Sequence, residues 1–340
     1  MKTKKHYILG IESSCDDTCA AVISDSVVLS NVVASQSIHE LYGGVVPELA
    51  SREHQKLILP VVKKVLEEAK INKDDLSAIA FTNGPGLIGS LMVGTSFAKS
   101  MSLALNIPLI SVNHMQAHIL AHFIKDSDND NPEFPFLALT ISGGHTQIVQ
   151  VNSYFDMKVL GETLDDAAGE AFDKSGKVIG LKYPAGPQID MLSKTGDPNK
   201  FYFTKPKVNG LNFSFSGLKT NFLNFINKQT RLDESFIKSN LNDICASLQK
   251  VIVEILMDKL IKASRETEIK TIVICGGVSA NSEVRTKLKT NGEKYKWNIH
   301  IPKISYTTDN AAMIAITGQL KYESELFSDL DVSANARLKI

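Results

Sequence analysis

Apolar and polar positions alternate in two stretches of the chain that share one layout. Residues 6–14 and 18–24 are predicted to form two strands joined by a polar turn. Residues 136–142 and 145–151 repeat this arrangement around a Gly-Gly turn. Alternation over four to eight residues, with small polar residues between the runs, is typical of a β-hairpin. The pattern therefore predicts two similar hairpins, one in each half of the chain.

A second pattern also occurs twice, and it adds helices to the prediction. The apolar run 78–82 meets a glycine-rich turn at 83–87 and then a helical pattern that continues to residue 105. Near the end, the run 271–275 meets another Gly-Gly turn and then a helix beyond Asn281. Alternating strands and helices predict mixed α/β sheets with helices on their faces. Glycine turns before helix N-termini also suit the phosphates of a nucleotide.

Composition limits the class of protein and its surroundings. With 340 residues, 43% hydrophobic and 22% charged, the chain has the size of two ordinary domains of a globular protein. Four cysteines without zinc-ribbon spacing indicate a reducing compartment. The apolar stretch near the N-terminus is too short for a signal peptide, and no apolar run reaches about 18 residues. We expect a cytoplasmic protein that does not bind membranes, with an exposed polar loop at 126–132.

The charge balance bears on nucleic-acid binding. The 37 Lys and Arg residues are matched by 37 Asp and Glu residues. Neutralising phosphates requires a surplus of basic residues, so the chain is not expected to bind nucleic acid tightly by itself. A local basic face stays compatible with this balance.

Two histidines four residues apart form the most informative pattern in the chain. His114 and His118 fall on one face of a predicted helix, where both can reach one divalent metal. Met115 stands where an HExxH zinc protease has its general-base glutamate. His122 continues the series, but about 12 Å along the axis would separate it from His114, so only adjacent pairs can share a metal. An amphipathic helix with histidines at its polar edge is the alternative.

Asp309 is a candidate third metal ligand. It precedes an apolar helix predicted at 311–317, where it has the position of an ordinary helix N-cap. As a metal ligand it would complete a set of two histidines and one carboxylate, which suits Fe(II) or zinc. Spacing does not decide between these roles, because Asp309 is remote from the histidines along the chain.

Several polar residues in the second half suit a nucleotide. Gly143 and Gly144 allow close backbone approach, and the Ser142 hydroxyl can donate to phosphate, although a tight hairpin explains the same residues. Asp173 and Asp190 could bind a hydroxyl group of a ribose, and solvated salt bridges are the alternative for Asp173. Further candidates are Gly186, in a rigid proline-containing loop, and Asp165 and Asp166, which could also simply cap the helix that follows them.

The segment 205–219 mixes lysines, aromatic residues and turn residues. Basic residues beside stacking aromatic residues can contact RNA. An ordinary surface hairpin is the alternative interpretation of this segment.

Eight motifs occur in one order along the chain. They are IESSCDDT (11–18), GGVVPELASREH (43–54), GPGLIGS (84–90), HMQAH (114–118), SGGHTQ (142–147), DDAAGEAFDK (165–174), FSFSGLK (213–219) and GGVSAN (276–281). Together they make the chain similar to the bacterial tRNA N6-adenosine threonylcarbamoyltransferases, once labelled sialoglycoprotein endopeptidases, from residue 8 to residue 318. Asp17 departs from the family, which more often has Glu there.

The resemblance implies a fold, a domain division and a site. The fold class is α/β, an actin-like or sugar-kinase-like (ASKHA) duplicated fold with two domains around a nucleotide cleft. We expect an N-terminal domain at 1–111, completed by 319–340, and a C-terminal domain at 112–318 that carries the metal and most of the adenylate site. The implied metal ligands are His114, His118 and Asp309. The residues implied to bind the adenylate are Thr140, Ile141, Ser142, Gly143, Gly144, Asp173, Gly186, Asp190 and Asn281.

The resemblance also implies a reaction and partners. The family transfers a threonylcarbamoyl group from threonylcarbamoyl-AMP to N6 of adenosine 37, in tRNAs that read codons beginning with A. It uses one divalent metal per subunit, Fe(2+) as the usual assignment and Zn(2+) as the alternative. Its partners are tRNA, a degenerate homologous subunit and a small ATPase. We add the hypothesis that Glu12 or Asp16, in the first hairpin, accepts the proton.

Three other functions fit parts of the pattern. A metalloprotease would use the same histidine pair, but the HExxH glutamate is missing. A sugar kinase or other ATPase follows from the fold alone, which is analogy rather than evidence about a site. A non-enzymatic nucleotide-binding scaffold is the third alternative, and the full set of candidate residues favours an active enzyme over it.

Overall fold

The computed structural model describes residues 5–125 and 130–340, so residues 126–129 of the predicted polar loop lie outside the described part. That part contains ten strands and nine α-helices. The strands are β1 Tyr7–Glu12, β2 Asp17–Ser24, β3 Val27–Ser35, β4 Leu76–Gly84, β5 Leu109–Asn113, β6 Phe136–Ile141, β7 Thr146–Val151, β8 Met157–Glu162, β9 Thr271–Cys275 and β10 Asn298–His300. The helices are α1 Pro47–Ala69, α2 Ile88–Leu105, α3 His114–Leu120, α4 Ala168–Val178, α5 Gly186–Ser193, α6 Ser216–Leu232, α7 Phe236–Thr267, α8 Ser282–Tyr295 and α9 Ala311–Glu323.

The strands form two five-stranded sheets with the same topology. The first has the order β3-β2-β1-β4-β5, and the second has the matching order β8-β7-β6-β9-β10. In each sheet the hairpin strands pair antiparallel and the two later strands pair parallel. The predicted repetition of hairpin and strand–glycine–helix units is therefore confirmed.

The chain divides into two compact units, and the boundaries differ from the predicted domains. Unit 1 comprises Met1–Pro132 and Thr308–Ile340, and unit 2 comprises Glu133–Thr307. Residues 112–132 and 308–318, expected in the second domain, belong to unit 1. Two features of the structure cause this difference. Strand β5 runs directly into α3, which keeps α3 in unit 1, and α9 packs against β1, β2 and β4 of the same unit.

Helix α9 lies against the first sheet at unusually close range. A Cβ atom on Gly10 of β1 would come within 2.6 Å of the Ala311 carbonyl oxygen, and one on Gly318 would come within 2.4 Å of the Ala80 Cβ. Glycine at both positions removes the side chain that would hold helix and sheet apart. Ten consecutive residues of α9, from Ala311 onward, are buried. This packing fixes the start of α9 against the first sheet.

Helix α2 is the one helix in the described part that is long and apolar enough to cross a membrane by length and composition. A core helix of a globular protein meets the same criterion. Because α2 packs against β4 and α1 in unit 1, its apolar character has a structural explanation within the fold.

Candidate functional site

The carboxyl ends of three parallel strands bring the first group of candidate residues together. Glu12 ends β1, Thr82 lies near the end of β4, and Asn113 ends β5. Neighbouring parallel strands end at the same edge of a sheet, which is where α/β proteins bind ligands. All three residues are buried.

Helix α3 places the two histidines at this edge. The Asn113 side chain accepts hydrogen bonds from the backbone N–H groups of Met115 and Gln116, so it caps the helix. His114 is the first helical residue and His118 lies one turn later, with ring centroids 4.7 Å apart at an angle of 88°. The contact between the two rings places both histidines on one face of α3, as their spacing predicts, and both side chains are buried.

Asp309 joins the histidine pair from the other end of the chain. Its Oδ1 lies 3.5 Å from His114 Nε2 and 3.2 Å from His118 Nε2. Asn310, whose side chain accepts from the Met313 N–H, caps α9, so the interpretation of Asp309 as the N-cap is wrong. The ligand atoms of the three side chains all lie within 4.8 Å of one another, inside unit 1, and could hold one metal ion.

A buried carboxylate lies behind His114. Glu12 is 0% exposed, and its Oε2 is 3.0 Å from His114 Nδ1 and accepts from the Thr82 hydroxyl at 2.6 Å. Its Oε1 accepts from the Ser14 backbone N–H. Because His114 Nδ1 faces Glu12, His114 Nε2 is the nitrogen that faces Asp309. A carboxylate behind a metal-binding histidine orients the ring and increases its basicity.

The charges around His114 favour a cation. Burial alone would lower the pKa of His114, yet the carboxylates of Glu12 and Asp309 raise that pKa to about 9. Burial disfavours the charged form of Glu12, but the charge and hydrogen bond of His114 outweigh it and lower the pKa of Glu12. A metal cation would meet the same favourable electrostatic environment as the proton that it displaces. The donor set thus fits a divalent metal.

His118 differs from His114 in its surroundings. Its Nδ1 is buried and has no hydrogen-bond partner among the described residues. Among the described residues of unit 1, no carboxylate supports His118 in the way that Glu12 supports His114. His122 lies in a short 3-10 helix after α3 and is partly exposed, outside the group of three possible ligands.

The second group of candidate residues lies in unit 2, around the turn between β6 and β7. A Cβ atom built on Gly143 or Gly144 would meet no atom within 4 Å, so the backbone of this turn is open to a ligand. Gly169 lies near the start of α4. A Cβ atom built on it would come within 2.7 Å of the Ser142 carbonyl oxygen and 2.8 Å of the Gly143 Cα. The turn and the start of α4 are therefore neighbours.

Two aspartates and one asparagine continue this group as helix caps. Asp173 accepts from the Gly186 N–H at the start of α5, and burial raises the pKa of Asp173 although its backbone donors oppose that shift. Asp190 accepts from the N–H and hydroxyl of Ser282 at the start of α8. Asn281 caps the same helix. The structure thus links the predicted adenylate residues from the hairpin turn to α8 in a continuous chain of contacts.

Two predicted adenylate residues have side chains that face the protein interior. Thr140 is fully buried, and its hydroxyl lies 3.2 Å from the Cys275 thiol. Ile141 is also fully buried in the core of unit 2. Neither side chain is therefore exposed to a ligand, and both residues are paired with neighbouring strands at the end of β6.

The acidic pair at 165–166 anchors a distant segment of unit 2. Asp165 accepts from the backbone N–H groups of Phe215 and Ser216 and from two serine hydroxyls, so it caps α6 rather than α4. Asp166 forms salt bridges of 2.7 Å to Lys174 and 2.8 Å to Lys219. The proposed capping of the following helix by either aspartate is therefore wrong.

Comparison with known proteins decides the family. A family model described as TsaD, tRNA N6-adenosine threonylcarbamoyltransferase, matches residues 27–316. The tRNA N6-adenosine threonylcarbamoyltransferase of Christiangramia forsetii is 60% identical over 339 residues, with 100% of each chain covered. That of Riemerella anatipestifer is 58% identical over 337 residues, with 99% of each chain covered. The chain belongs to this family.

A solved structure supports the fold of the family member. Component A of the (R)-2-hydroxyglutaryl-CoA dehydratase from Acidaminococcus fermentans matches with a TM-score of 0.52 and 15% identity. The match covers 92% of this chain and 96% of that one. The predicted actin-like, two-domain α/β fold is confirmed.

Sequence reasoning missed the supporting residues of the metal group in this threonylcarbamoyltransferase family member. Ser14 and Thr82 are ordinary in the sequence, and only the pairing of β1 with β4 brings Thr82 to Glu12. Asp16, predicted with Glu12 as a proton acceptor, lies partly exposed in the turn between β1 and β2. The only available sequence signal was the position of both acidic residues at the end of an apolar run.

Proposed function

We propose that the protein transfers a threonylcarbamoyl group from threonylcarbamoyl-AMP to N6 of adenosine 37, in tRNAs that read codons beginning with A. The observation that carries the proposal is the group of His114, His118 and Asp309 in a chain that belongs to this family over its full length. The donor is a mixed anhydride, so its AMP leaving group supplies much of the driving force. The protein then has to position a weakly nucleophilic amine.

The metal in this proposal is one divalent ion per subunit, iron(II) as the first assignment and zinc as the alternative. His114 Nε2, His118 Nε2 and an Asp309 oxygen would hold it, and two histidines with one carboxylate suit both metals. When bound, the ion supplies Lewis acidity and a template for the substrate.

Glu12 is assigned a positioning role in place of the proton-acceptor role. Both of its oxygens accept hydrogen bonds within the protein, and the side chain has no exposed surface. A proton acceptor must come within hydrogen-bonding reach of the substrate. Of the two predicted acceptors, only the partly exposed Asp16 remains a candidate for that step.

The residue beside His114 favours transfer to an amine over hydrolysis. Met115 is 2% exposed and occupies the position of the protease glutamate, so the helix carries no general base next to the histidine pair. Water near the metal would therefore not be activated by this helix against the anhydride donor.

The adenylate is proposed to bind in unit 2, at the residues carried over from the family. The open backbone of Gly143 and Gly144 suits phosphate oxygens, because a Cβ atom built on either glycine would meet no described atom within 4 Å. Asp173, Gly186, Asp190 and Asn281 follow along the starts of α5 and α8, where polar side chains and backbone N–H groups concentrate. Thr140 and Ile141 would contribute backbone groups.

The proposed setting is the cytoplasm, without a membrane, where tRNA is available. We also propose that the protein works with a degenerate homologous subunit and a small ATPase, as its family implies. The neutral charge balance supports this, because we expect the isolated chain to bind tRNA weakly.

Reconstitution tests the proposal directly. The purified chain is combined with the two partner subunits, threonylcarbamoyl-AMP, iron(II) and unmodified tRNA, and the digested nucleosides are analysed by mass spectrometry. We expect threonylcarbamoyladenosine only when the chain is present. His114→Ala should lose the product, and the matched variant His122→Ala should retain it. Absence of product with the wild-type chain, using partners proven active with a related enzyme, would refute the proposal.

A further inference from the structure

The neutral chain carries a local surplus of basic residues in unit 2. Residues 259–303 contain ten Lys and Arg residues but only four Asp and Glu residues. This segment includes the end of α7, all of α8 and strand β10. Because the whole chain is neutral, the remainder carries a corresponding excess of acidic residues. Charge is therefore distributed unevenly along the chain, and basic residues that cluster at one surface would favour binding of a polyanion there.

Part of this surplus gathers where α7 and α8 end. Lys294 Nζ lies 5.3 Å and Arg265 Cζ lies 5.4 Å from the centre of the Tyr295 ring, so one aromatic ring holds two cations. Lys270 precedes β9, whose pairing with β10 places it beside the end of α8. We call this surface the basic face; its residues are Arg265, Lys270, Tyr295, Lys294, Lys296 and the buried Trp297.

The cations of the basic face form no salt bridges within residues 5–125 and 130–340. Arg265, Lys270, Lys294 and Lys296 are exposed, and none of them forms a salt bridge with any residue that the structure describes. The two helix C-termini at this surface each contribute only about half a negative charge. Glu268 adds one more acidic group to the same depression. Four cations exceed these charges, so the surface has positive charge left for a ligand.

Two lysines of segment 205–219, whose composition also suits RNA, differ from those of the basic face because they have acidic partners. Lys205 forms salt bridges of 2.9 Å to both Glu254 and Asp258, and Lys219 forms one of 2.8 Å to Asp166. Its two phenylalanines, at positions 213 and 215, are fully buried. Its paired lysines have internal partners and its aromatic rings are inaccessible, so the segment offers little to a nucleic acid.

We propose that the basic face binds the phosphate backbone of the tRNA substrate. The inference rests on the proposed function for the identity of the RNA, and on charge and geometry for the surface. Arg265 and Lys294 both lie over the Tyr295 ring, and Trp297 is fixed by a hydrogen bond that its Nε1 donates to Ser264. The face therefore offers charge rather than base stacking, and its binding is independent of sequence.

Charge reversal on the basic face tests this proposal. Binding of unmodified tRNA to the full-length chain is measured by fluorescence anisotropy between about 50 and 200 mM salt, the range in which phosphate contacts dominate. Lys294→Glu combined with Lys296→Glu should weaken binding at least about tenfold at low salt. It should also reduce the slope of log affinity against log salt by about two, one for each lost phosphate contact.

A matched variant controls for net charge. Lys63→Glu combined with Lys64→Glu makes the same charge change at two exposed lysines of α1 that lie 3.8 Å from Glu67 and Glu68. We expect this variant to keep the salt dependence of the wild type. Equal weakening in both double variants, or unchanged binding in the Lys294 and Lys296 variant, would overturn the proposal. Circular dichroism verifies that each variant is folded.

The reconstitution assay separates this proposal from the proposed function. If the wild type forms the modified nucleoside and both double variants bind tRNA equally well, tRNA binding by the basic face is refuted and the proposed function is supported. If the wild type forms no modified nucleoside but only the basic-face variant loses tRNA binding, the proposed function is refuted and RNA binding by the basic face is supported.

Discussion

At the scale of single residues, Glu12 decides how His114 is presented. Replacing Glu12 by Gln keeps the size of the side chain but removes the carboxylate that orients the His114 ring. Loss of such a supporting carboxylate typically lowers metal affinity about 10- to 100-fold. We expect Glu12→Gln to bind iron(II) or zinc that much more weakly, measured as metal content after equilibrium dialysis. The exposed Glu48→Gln on α1 serves as the control.

A variant of Thr82 distinguishes the loss of the Glu12 carboxylate from the general effect of changing a buried residue at this site. Thr82→Val removes the hydroxyl that donates to Glu12 but leaves the carboxylate beside His114. It should weaken metal binding less than Glu12→Gln does. Unchanged metal content in Glu12→Gln would contradict the positioning role.

Asp17 gives a residue-scale prediction for stability against pH. Burial and the neighbouring negative charges raise the pKa of Asp17 to about 6, although a hydrogen bond with Ser35 opposes the shift. The folded state then holds the Asp17 proton more tightly than the unfolded state, whose value is 3.8. Its contribution to stability therefore falls as pH rises from about 4 to about 6 and stays low above that range.

Asp17→Asn should remove this penalty. We expect the free energy of unfolding of the metal-free protein to increase by about 1–3 kcal/mol at pH 7.5. At pH 5 the gain should be smaller, because there Asp17 is largely protonated in the folded protein. Urea unfolding at both pH values measures it, and an equal gain at both would show that the raised pKa is not its source.

At the scale of elements, helix starts are the places where distant segments of unit 2 are joined. The start of α5 is held by Asp173, that of α8 by Asn281 and Asp190, and that of α6 by Asp165. A helix start leaves backbone N–H groups without partners inside the helix, so an acceptor from any part of the chain can satisfy them. These contacts make the helix starts of unit 2 dependent on tertiary structure.

Asp165 offers the clearest test, because one side chain receives four hydrogen bonds. Asp165→Ala should destabilise unit 2 by about 1–2 kcal/mol, the usual cost of losing a helix cap. Asp165→Asn keeps one acceptor oxygen for the two N–H groups and should cost less. Chemical denaturation of both variants measures the difference, and an Ala variant as stable as the wild type would exclude the capping role.

The same elements show what the sequence could predict. The helical spacing of His114 and His118 was sufficient to place both on one face, since that geometry is local. The third ligand was not predictable from spacing, because Asp309 reaches the pair only through the close packing of α9 against Gly10. For the same reason, the alternative that Asp165 caps the helix that follows it is wrong. The helix that it does cap begins about 50 residues away, and a local rule considers only the nearest helix.

At the scale of the whole molecule, the duplicated sheets were predictable and the unit boundaries were not. Repeated hairpins and strand–glycine–helix units are visible as sequence patterns, and both sheets follow the same strand order. The boundary depends instead on where α3 and α9 pack, which the alternation of strands and helices leaves open. As a result, all three candidate metal ligands belong to unit 1.

This distribution predicts that metal stabilises one unit selectively. A ligand that binds only the folded state stabilises it by about 2.7 kcal/mol at a hundredfold excess over Kd. We expect iron(II) or zinc to slow hydrogen exchange in α3, at the end of β1 and at the start of α9. Mass spectrometry of peptides from 5–125 and 308–340 should show this slowing, and peptides from 133–307 should not. The variant His114→Ala/His118→Ala should lose the effect, whereas equal slowing throughout the chain would show that metal stabilises both units.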